Sequence, residues 1–157
     1  MIHTMVEPAV KLLKLSSAAF TDLGRIPRKY TCDGLNQSPP FDIDHIPEET
    51  KCFAIIADDP DAPINTWVHW LVWDFPVTHH IKENTGLGKH GINDFSRKFY
   101  CGPCPMNGEH HYLFKIYALD SLMLLPENAR KNQLERAMSG HILAYGQITG
   151  TYSRGAY

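Results

Sequence analysis

The sequence predicts a mainly β domain with one helix near its C-terminal end. Three apolar runs of strand length, residues 51–58, 68–75 and 111–119, are separated by segments rich in proline, glycine and asparagine. A later segment beginning near Asn132 has the apolar spacing of a helix instead. This order of elements favours an antiparallel sandwich or an α+β domain.

The first run, residues 51–58, contains Phe53, Ile55 and Ile56 and leads directly into an Asp-Pro sequence. Such a short apolar run bounded by a turn signal indicates a buried strand. We therefore expect Asp59 at the end of this strand.

The second run, residues 68–75, is apolar at almost every position and is followed by Pro76, which ends it. Strict period-two geometry places His69, Leu71, Trp73 and Phe75 on one face and Val68, Trp70, Val72 and Asp74 on the other. Because both faces are largely apolar, we predict an interior strand that is covered on both sides.

The third run, residues 111–119, alternates more clearly. One face carries Tyr112, Phe114, Ile116 and Ala118, and the other carries His111, Leu113, Lys115 and Tyr117. His110 comes one step before this run and is predicted to share the side of Tyr112.

The helix is predicted to begin near Asn132, because Glu135 follows three residues later as in a capping box. Its apolar stripe would consist of Leu134, Ala137, Met138 and His141, widened by Ile142. Gly146 is a plausible stop, and residues 147–152 are predicted to return as a strand.

Length and composition limit the number of domains and the classes of function that the chain can have. A chain of 157 residues that is 43% hydrophobic can bury a core, and without a linker or repeat it is expected to form a single domain, residues 1–157. Fifteen basic and 17 acidic residues leave a formal charge of −2, which gives no broad electrostatic surface for nucleic acid or an acidic membrane.

The N-terminal segment argues against export. Glu7, Lys11 and Lys14 interrupt any apolar core of a signal peptide, and no stretch has the length of a membrane span. A cytoplasmic location is therefore expected. In that compartment the four cysteines would be mostly reduced: Cys32, Cys52, Cys101 and Cys104.

Three short segments carry most of the chemical information: Asp-Pro-Asp-Ala-Pro at 59–63, Trp-Val-His-Trp at 67–70, and Gly-Pro-Cys-Pro at 102–105 followed by Glu-His-His-Tyr at 109–112. The two prolines of the first segment hold its carboxylates in a rigid loop. Histidines and a tyrosine beside a glycine, whose backbone a ligand can approach closely, fit a small anion.

In these segments the sequence resembles the phosphatidylethanolamine-binding protein family, which includes the Raf kinase inhibitor proteins, and most closely its bacterial and archaeal branch. The same order of motifs extends from about Phe20 to Tyr152. It also includes Tyr-Thr-Cys-Asp-Gly at 30–34, Ser-Pro-Pro at 38–40, Tyr-Ala-Leu at 117–119 and Gly-His-Ile-Leu-Ala at 140–144.

The resemblance implies a large antiparallel sheet packed on a smaller one, with C-terminal helical elements. It further implies a binding protein rather than an enzyme, with no cofactor and no metal, a homodimeric assembly, and modulation of a protein partner such as a kinase or protease. The pocket residues that it implies are Asp59, His69, Gly102, His110 and Tyr112, with Asp61, Trp67 and Pro103 as its supporting wall.

The chemistry of these side chains agrees with a pocket for phosphate or a phosphorylated head group. The histidines and the Tyr112 hydroxyl would hold phosphate oxygens, and the backbone at Gly102 would add a donor. Asp59 would orient a histidine or meet an ammonium group. Met106 stands where bacterial members usually have proline, and we expect it to shape the pocket rim.

Three other interpretations remain open. Residues 100–104, Tyr-Cys-Gly-Pro-Cys, nearly match a thioredoxin active site, but the segment after Cys104 is a poor helix opening and would not activate a thiol. Cys101, Cys104, His110 and His111 could be metal ligands, although neighbouring strand residues point in opposite directions. The same acids and histidines could serve a hydrolase, although no nucleophile motif is present. His79, His80 and His90 are expected to be solvated loop residues.

Overall fold

The computed structural model describes residues 10–155, and within that range it shows nine β-strands, one α-helix and one short 3₁₀ turn at Arg28–Tyr30. The strands are β1 (Lys11–Leu12), β2 (Lys14–Ser16), β3 (Phe41–Asp44), β4 (Cys52–Asp59), β5 (Trp67–Phe75), β6 (His80–Ile81), β7 (Lys89–His90), β8 (His110–Leu119) and β9 (Ile142–Tyr152). The helix, α1, is Lys131–Met138.

The strands form two sheets. The larger has the order β1-β9-β8-β4-β5-β7 and the smaller has the order β2-β3-β6. All pairings are antiparallel except that of β1 with β9. The predicted mainly β fold, with a large sheet packed on a smaller one, is confirmed.

Each face of the large sheet covers its own hydrophobic core. One core lies between the two sheets, where the rings of Phe41 and Phe114 are 5.4 Å apart. The other lies between the large sheet and α1, and it contains Leu134 and Met138 of the helix. Strand β4 is central to the sheet and all eight of its residues are buried, as its apolar run predicts.

The faces predicted for β5 are wrong at several positions because the strand contains two register shifts opposite β4. One lies where Ala57 and Asp58 pair with Trp70 and Val68, so that His69 is an extra residue. Trp70 therefore faces the core between the sheets, and Val68 faces the core beside the helix.

The second shift lies at Asp74, whose φ of 51° is a left-handed conformation that Asp adopts more readily than most residues. It moves Phe75 onto the face of Trp70 and Val72, not onto that of Leu71 and Trp73.

The C-terminal helix is shorter than predicted. It begins at Lys131, where Arg130 and Gln133 form the capping interaction expected of Asn132 and Glu135, and it ends at Met138. Strand β9 already begins at Ile142, so neither His141 nor Ile142 belongs to the helix. Gly146 is a strand residue, not a stop, and an added Cβ there would lie 3.0 Å from the Leu13 side chain.

The expectation of reduced cysteines is wrong for one pair, because Cys32 and Cys104 form a disulfide. Cys52 and Cys101 are free and buried. Within residues 10–155, no helix is long and apolar enough to cross a membrane. The signal-peptide prediction concerns residues 1–16, of which 1–9 lie outside the described residues.

Candidate functional site

The candidate site lies at one end of the large sheet, where three neighbouring strands begin or end. Asp59 ends β4 and pairs with Trp67 at the start of β5, while His110 starts β8 on the other side of β4. Antiparallel order therefore brings together residues that are up to 51 positions apart in the sequence.

The closest contact in the site joins His110 and Asp59. Nδ1 of His110 lies 2.6 Å from Oδ2 of Asp59, and both side chains are largely buried, at 13% and 6% exposure. Because a carboxylate only accepts hydrogen bonds, Nδ1 must carry the hydrogen. The other carboxylate oxygen of Asp59 accepts the Asp61 backbone N–H at 2.8 Å. Asp59 thus orients the His110 ring and fixes the acidic loop.

His69 is held by the backbone of the segment that follows β7. Its Nδ1 donates to the Cys101 carbonyl oxygen at 2.6 Å, and its own carbonyl accepts from the Cys101 N–H and from the Asn93 side chain. These contacts satisfy the backbone of the bulged residue. Burial lowers the pKa of His69 below its ordinary value, although the Cys101 hydrogen bond and the charge of Asp59 oppose this. The ring is therefore neutral at pH 7, with its Nε2 as an acceptor.

Tyr112 lies between the two histidines. Its ring meets that of His69 edge-on at 5.4 Å and stacks on that of His110 at 6.4 Å. The hydroxyl oxygen is buried and has no hydrogen-bond partner among residues 10–155. Burial, with the negative charge of Asp59, raises its pKa well above the ordinary value, and the nearby Cys104 amide opposes this only in part. The hydroxyl therefore keeps its hydrogen and can donate it to a ligand.

Gly102 is buried beside this cluster, but its backbone donor is already used. The Gly102 N–H donates to Oδ1 of Asn36 at 2.7 Å. An added Cβ would lie only 2.2 Å from the Tyr30 carbonyl oxygen, so glycine is needed there for close packing. The prediction that the Gly102 backbone supplies a free hydrogen-bond donor is therefore wrong. The Pro103 carbonyl oxygen accepts the Cys32 N–H at 3.1 Å.

The remaining predicted wall residues lie on the solvent side. Trp67 is 40% exposed and meets the Phe95 ring edge-on at 5.7 Å, and Phe95 also contacts the His69 ring. Asp61 accepts hydrogen bonds from both the backbone and the ring of His111. Met106 is 88% exposed and borders a separate surface cleft beside Arg28 and Arg154.

The structure does not assemble the two alternative sites that involve cysteines. Cys104 is bonded to Cys32, not to Cys101, and burial raises the pKa of the Cys101 thiol, which is the reverse of activation. Within residues 10–155, no three His, Cys, Asp or Glu side chains are grouped as metal ligands.

Sequence reasoning missed the residues that organise the site from loops. Asn93 is 1% exposed, and its side-chain amide bonds the backbone of His69 and Phe99 while its oxygen accepts from Phe95 and Arg97. The Asn-Asp pair at 93–94 could have indicated a side-chain-stabilised turn, but nothing in its spacing connects it to His69.

A family model and several related proteins match most of this chain. The family model described as phosphatidylethanolamine-binding protein matches residues 16–153. The UPF0098 protein of Methanothermobacter thermautotrophicus is 41% identical over 156 residues, covering 91% of this chain and 100% of that protein. The UPF0098 protein of Archaeoglobus fulgidus is 46% identical over 145 residues, and there the match covers 87% of this chain but 50% of the relative. The chain thus spans about half the length of that relative.

Two solved structures have the same fold. A protein from Chlamydia trachomatis described as a phosphatidylethanolamine-binding protein homologue has a TM-score of 0.87 and 36% identity, covering 92% of this chain and 99% of that one. Escherichia coli YbcL, described as a member of the mammalian PEBP family, has a TM-score of 0.82 and 26% identity, covering 90% of this chain and 98% of its own. With the family model matching most of its length, the chain belongs to the phosphatidylethanolamine-binding protein family.

Proposed function

We propose that the protein binds phosphate or a phosphorylated head group at Asp59, His69, His110 and Tyr112, and that it does so without catalysing a reaction. The observation that carries this proposal is the buried Tyr112 hydroxyl, which has no partner among residues 10–155 and lies between two histidine rings. A buried donor of this kind is costly unless a ligand uses it.

The protonation of the site favours a phosphate that carries a hydrogen. Neutral His69 offers Nε2 as an acceptor, so it can receive the O–H of a phosphate monoanion while Tyr112 donates to another phosphate oxygen. Transfer of that hydrogen to Nε2 would give an imidazolium and a dianion with the same proton count. In both cases the complex contains one proton more than neutral His69 and the free phosphate dianion together. Binding of the dianion therefore takes up a proton.

Affinity for a phosphate monoester such as phosphoethanolamine is therefore expected to strengthen as the pH falls from 8 toward the second pKa of the ester, about 6. Titration calorimetry across this pH range in buffers of different ionisation enthalpy would measure the proton uptake. Proton release on binding, or an affinity that rises with pH, would contradict the protonation assigned here.

Removing the Tyr112 hydroxyl is the sharpest variant test. Tyr112→Phe should weaken phosphate or phosphoethanolamine binding by about 1.5–3 kcal/mol, because a hydrogen bond to a charged group is lost. The same change should affect the unfolding free energy of the unliganded protein much less, since within the described residues only the Cys104 amide lies near this oxygen. His110→Ala should weaken binding to a similar degree.

Two matched control variants alter the same residue types outside the site. Tyr117→Phe alters a tyrosine of the same strand that packs on Tyr145 on the opposite face, and His80→Ala alters a histidine paired with Asp42 away from the site. Both variants should bind as the native protein does. Normal affinity in well-folded Tyr112→Phe and His110→Ala proteins would refute the proposed site.

A hydrolase remains the second candidate, because the His110–Asp59 pair at 2.6 Å also suits a general base. Incubation with phosphoethanolamine and measurement of released phosphate separates the two functions. We expect phosphoethanolamine to stay intact during an incubation many times longer than the lifetime of the complex. Release of phosphate that depends on His110 would establish catalysis.

Assembly, partner and location belong to the same proposal and rest on the family resemblance. We expect a homodimer, and light scattering that finds only monomer at every concentration would exclude it. We also expect that ligand occupancy modulates a protein partner. We also propose a cytoplasmic location, where a disulfide such as Cys32–Cys104 is uncommon. Cell fractionation tests this location.

A further inference from the structure

A second cavity lies beside β5, separate from the histidine cluster. It has a volume of about 450 Å³. Ser38, Trp70 and Tyr100 line it and are almost fully buried, whereas Lys98 and Phe99, which also line it, are exposed. We call it the Trp70 cleft. Its volume lies in the range of small-molecule sites.

Two buried polar atoms of the residues that line this cleft have no partner among residues 10–155: Nε1 of Trp70 and Nδ1 of His90. Trp70 itself is only 1% exposed. His90 pairs with Val72, two residues along β5 from Trp70, so both side chains belong to the same face as diagonal neighbours. His90 is thus a half-buried strand residue, not the solvated loop residue that the sequence predicts.

The hydrogen-bonding roles of these two atoms are fixed by chemistry. An indole N–H only donates. Nε2 of His90 lies 3.1 Å from the Leu87 carbonyl oxygen, which only accepts, so Nε2 carries the hydrogen, and in that tautomer Nδ1 is an acceptor. A ligand that satisfies both must therefore present an acceptor and a donor.

Charge and shape narrow the ligand further. Lys98 forms no ion pair within the described chain, and no Asp or Glu lines the cleft. Trp70 and Tyr100 meet edge-on at 5.5 Å, and Phe99 adds a third ring to the wall. Because Phe99 is 53% exposed, its ring can stack on a flat body. The Tyr100 hydroxyl is already bonded to the Tyr30 carbonyl and needs no ligand.

We propose that the Trp70 cleft binds a small, flat organic carboxylate that also carries an O–H or N–H group. The carboxylate lies toward Lys98 and accepts from the Trp70 indole, and the donor group reaches Nδ1 of His90. This site is independent of the proposed phosphate site.

The three tryptophans of the chain provide the readout. Isotope-labelled protein is titrated with para-hydroxybenzoate while the three indole N–H signals, assigned from Trp→Phe variants, are followed by NMR. The Trp70 signal should shift and saturate. Trp73 is the matched control, because its indole N–H is also buried without a partner in the described chain but lies in the core beside α1. Trp67 reports on the phosphate site.

Ligand analogues test each assigned contact without altering the protein. Benzoate lacks the donor and para-hydroxybenzamide lacks the charge, and each should bind about tenfold more weakly, equivalent to ~1.4 kcal/mol. In His90→Phe protein the preference for para-hydroxybenzoate over benzoate should vanish, and Lys98→Gln should remove the preference over the amide. His110→Ala should bind para-hydroxybenzoate normally.

The proposal is overturned if the Trp70 signal shows no saturable shift, or if Trp73 shifts equally. It is also overturned if His110→Ala abolishes the binding, because the probe would then occupy the phosphate site. Equal affinity of native protein for all three analogues would refute the assigned contacts even if a variant failed to fold.

Discussion

Reduction of the Cys32–Cys104 disulfide is expected to lower the free energy of unfolding by about 4 kcal/mol. The two cysteines are 72 positions apart, so the bond closes a long loop and strongly restricts the unfolded chain. It also joins the segment after the 3₁₀ turn to the segment that carries Gly102 and Pro103, where the Cys32 N–H donates to the Pro103 carbonyl.

Urea unfolding with and without reductant measures this effect, and Cys32→Ser combined with Cys104→Ser should reproduce it. Reductant should then have no further effect on the double variant. Cys52→Ser is a control for loss of a buried thiol, since Cys52 is free. An unchanged unfolding midpoint on verified reduction would show that the disulfide contributes no stability.

Removal of both lysines that pair with Asp58 is expected to cost about 3–5 kcal/mol. The Asp58 side chain is fully buried, and one of its oxygens accepts from Lys115 at 3.1 Å and from Lys131 at 2.8 Å. Lys131 is the first residue of α1, so this pair attaches the helix to the large sheet. The combination of Lys115→Met and Lys131→Met would leave a buried carboxylate without a cation.

The two single variants should each cost only about 1–2 kcal/mol, because the other lysine still neutralises the carboxylate. Adding Asp58→Leu to the double variant should restore much of the loss, since an apolar triad carries no desolvation penalty. Strict additivity of the single effects, or no recovery on adding Asp58→Leu, would contradict this account of the cluster.

The strands could be predicted from the sequence because a strand buried on both faces needs an uninterrupted apolar run. Residues 51–58 are such a run, and they form the central strand β4. The alternation in β8 was equally clear, since Tyr112, Phe114 and Ile116 all face the core between the sheets.

The faces of β5 could not be predicted in the same way. Period-two reasoning assumes an unbroken ladder, whereas the bulge at His69 depends on hydrogen bonds from Asn93 and Cys101, which lie in a later loop. That bulge places His69 against Tyr112. The position of the most deeply buried site histidine thus depends on tertiary contacts that no local pattern contains.

The prediction of four reduced cysteines was wrong for a different reason. The short spacing of Cys101 and Cys104 resembles a dithiol motif, and the expected cytoplasmic location favours free thiols. The bonded partner of Cys104 instead lies 72 positions away. Similarly, the family pattern marked Gly102, while the side chain that occupies its N–H, Asn36, lies far away in the sequence. Composition and spacing do not report such long-range contacts.

The most direct test of the central claim is a crystal structure of the protein with phosphoethanolamine. We expect the phosphate within hydrogen-bond distance of the Tyr112 hydroxyl and beside His69 and His110, with the His110–Asp59 contact preserved. A fully occupied ligand elsewhere, with the Tyr112 hydroxyl still unpartnered, would contradict the assignment of this cluster as the binding site.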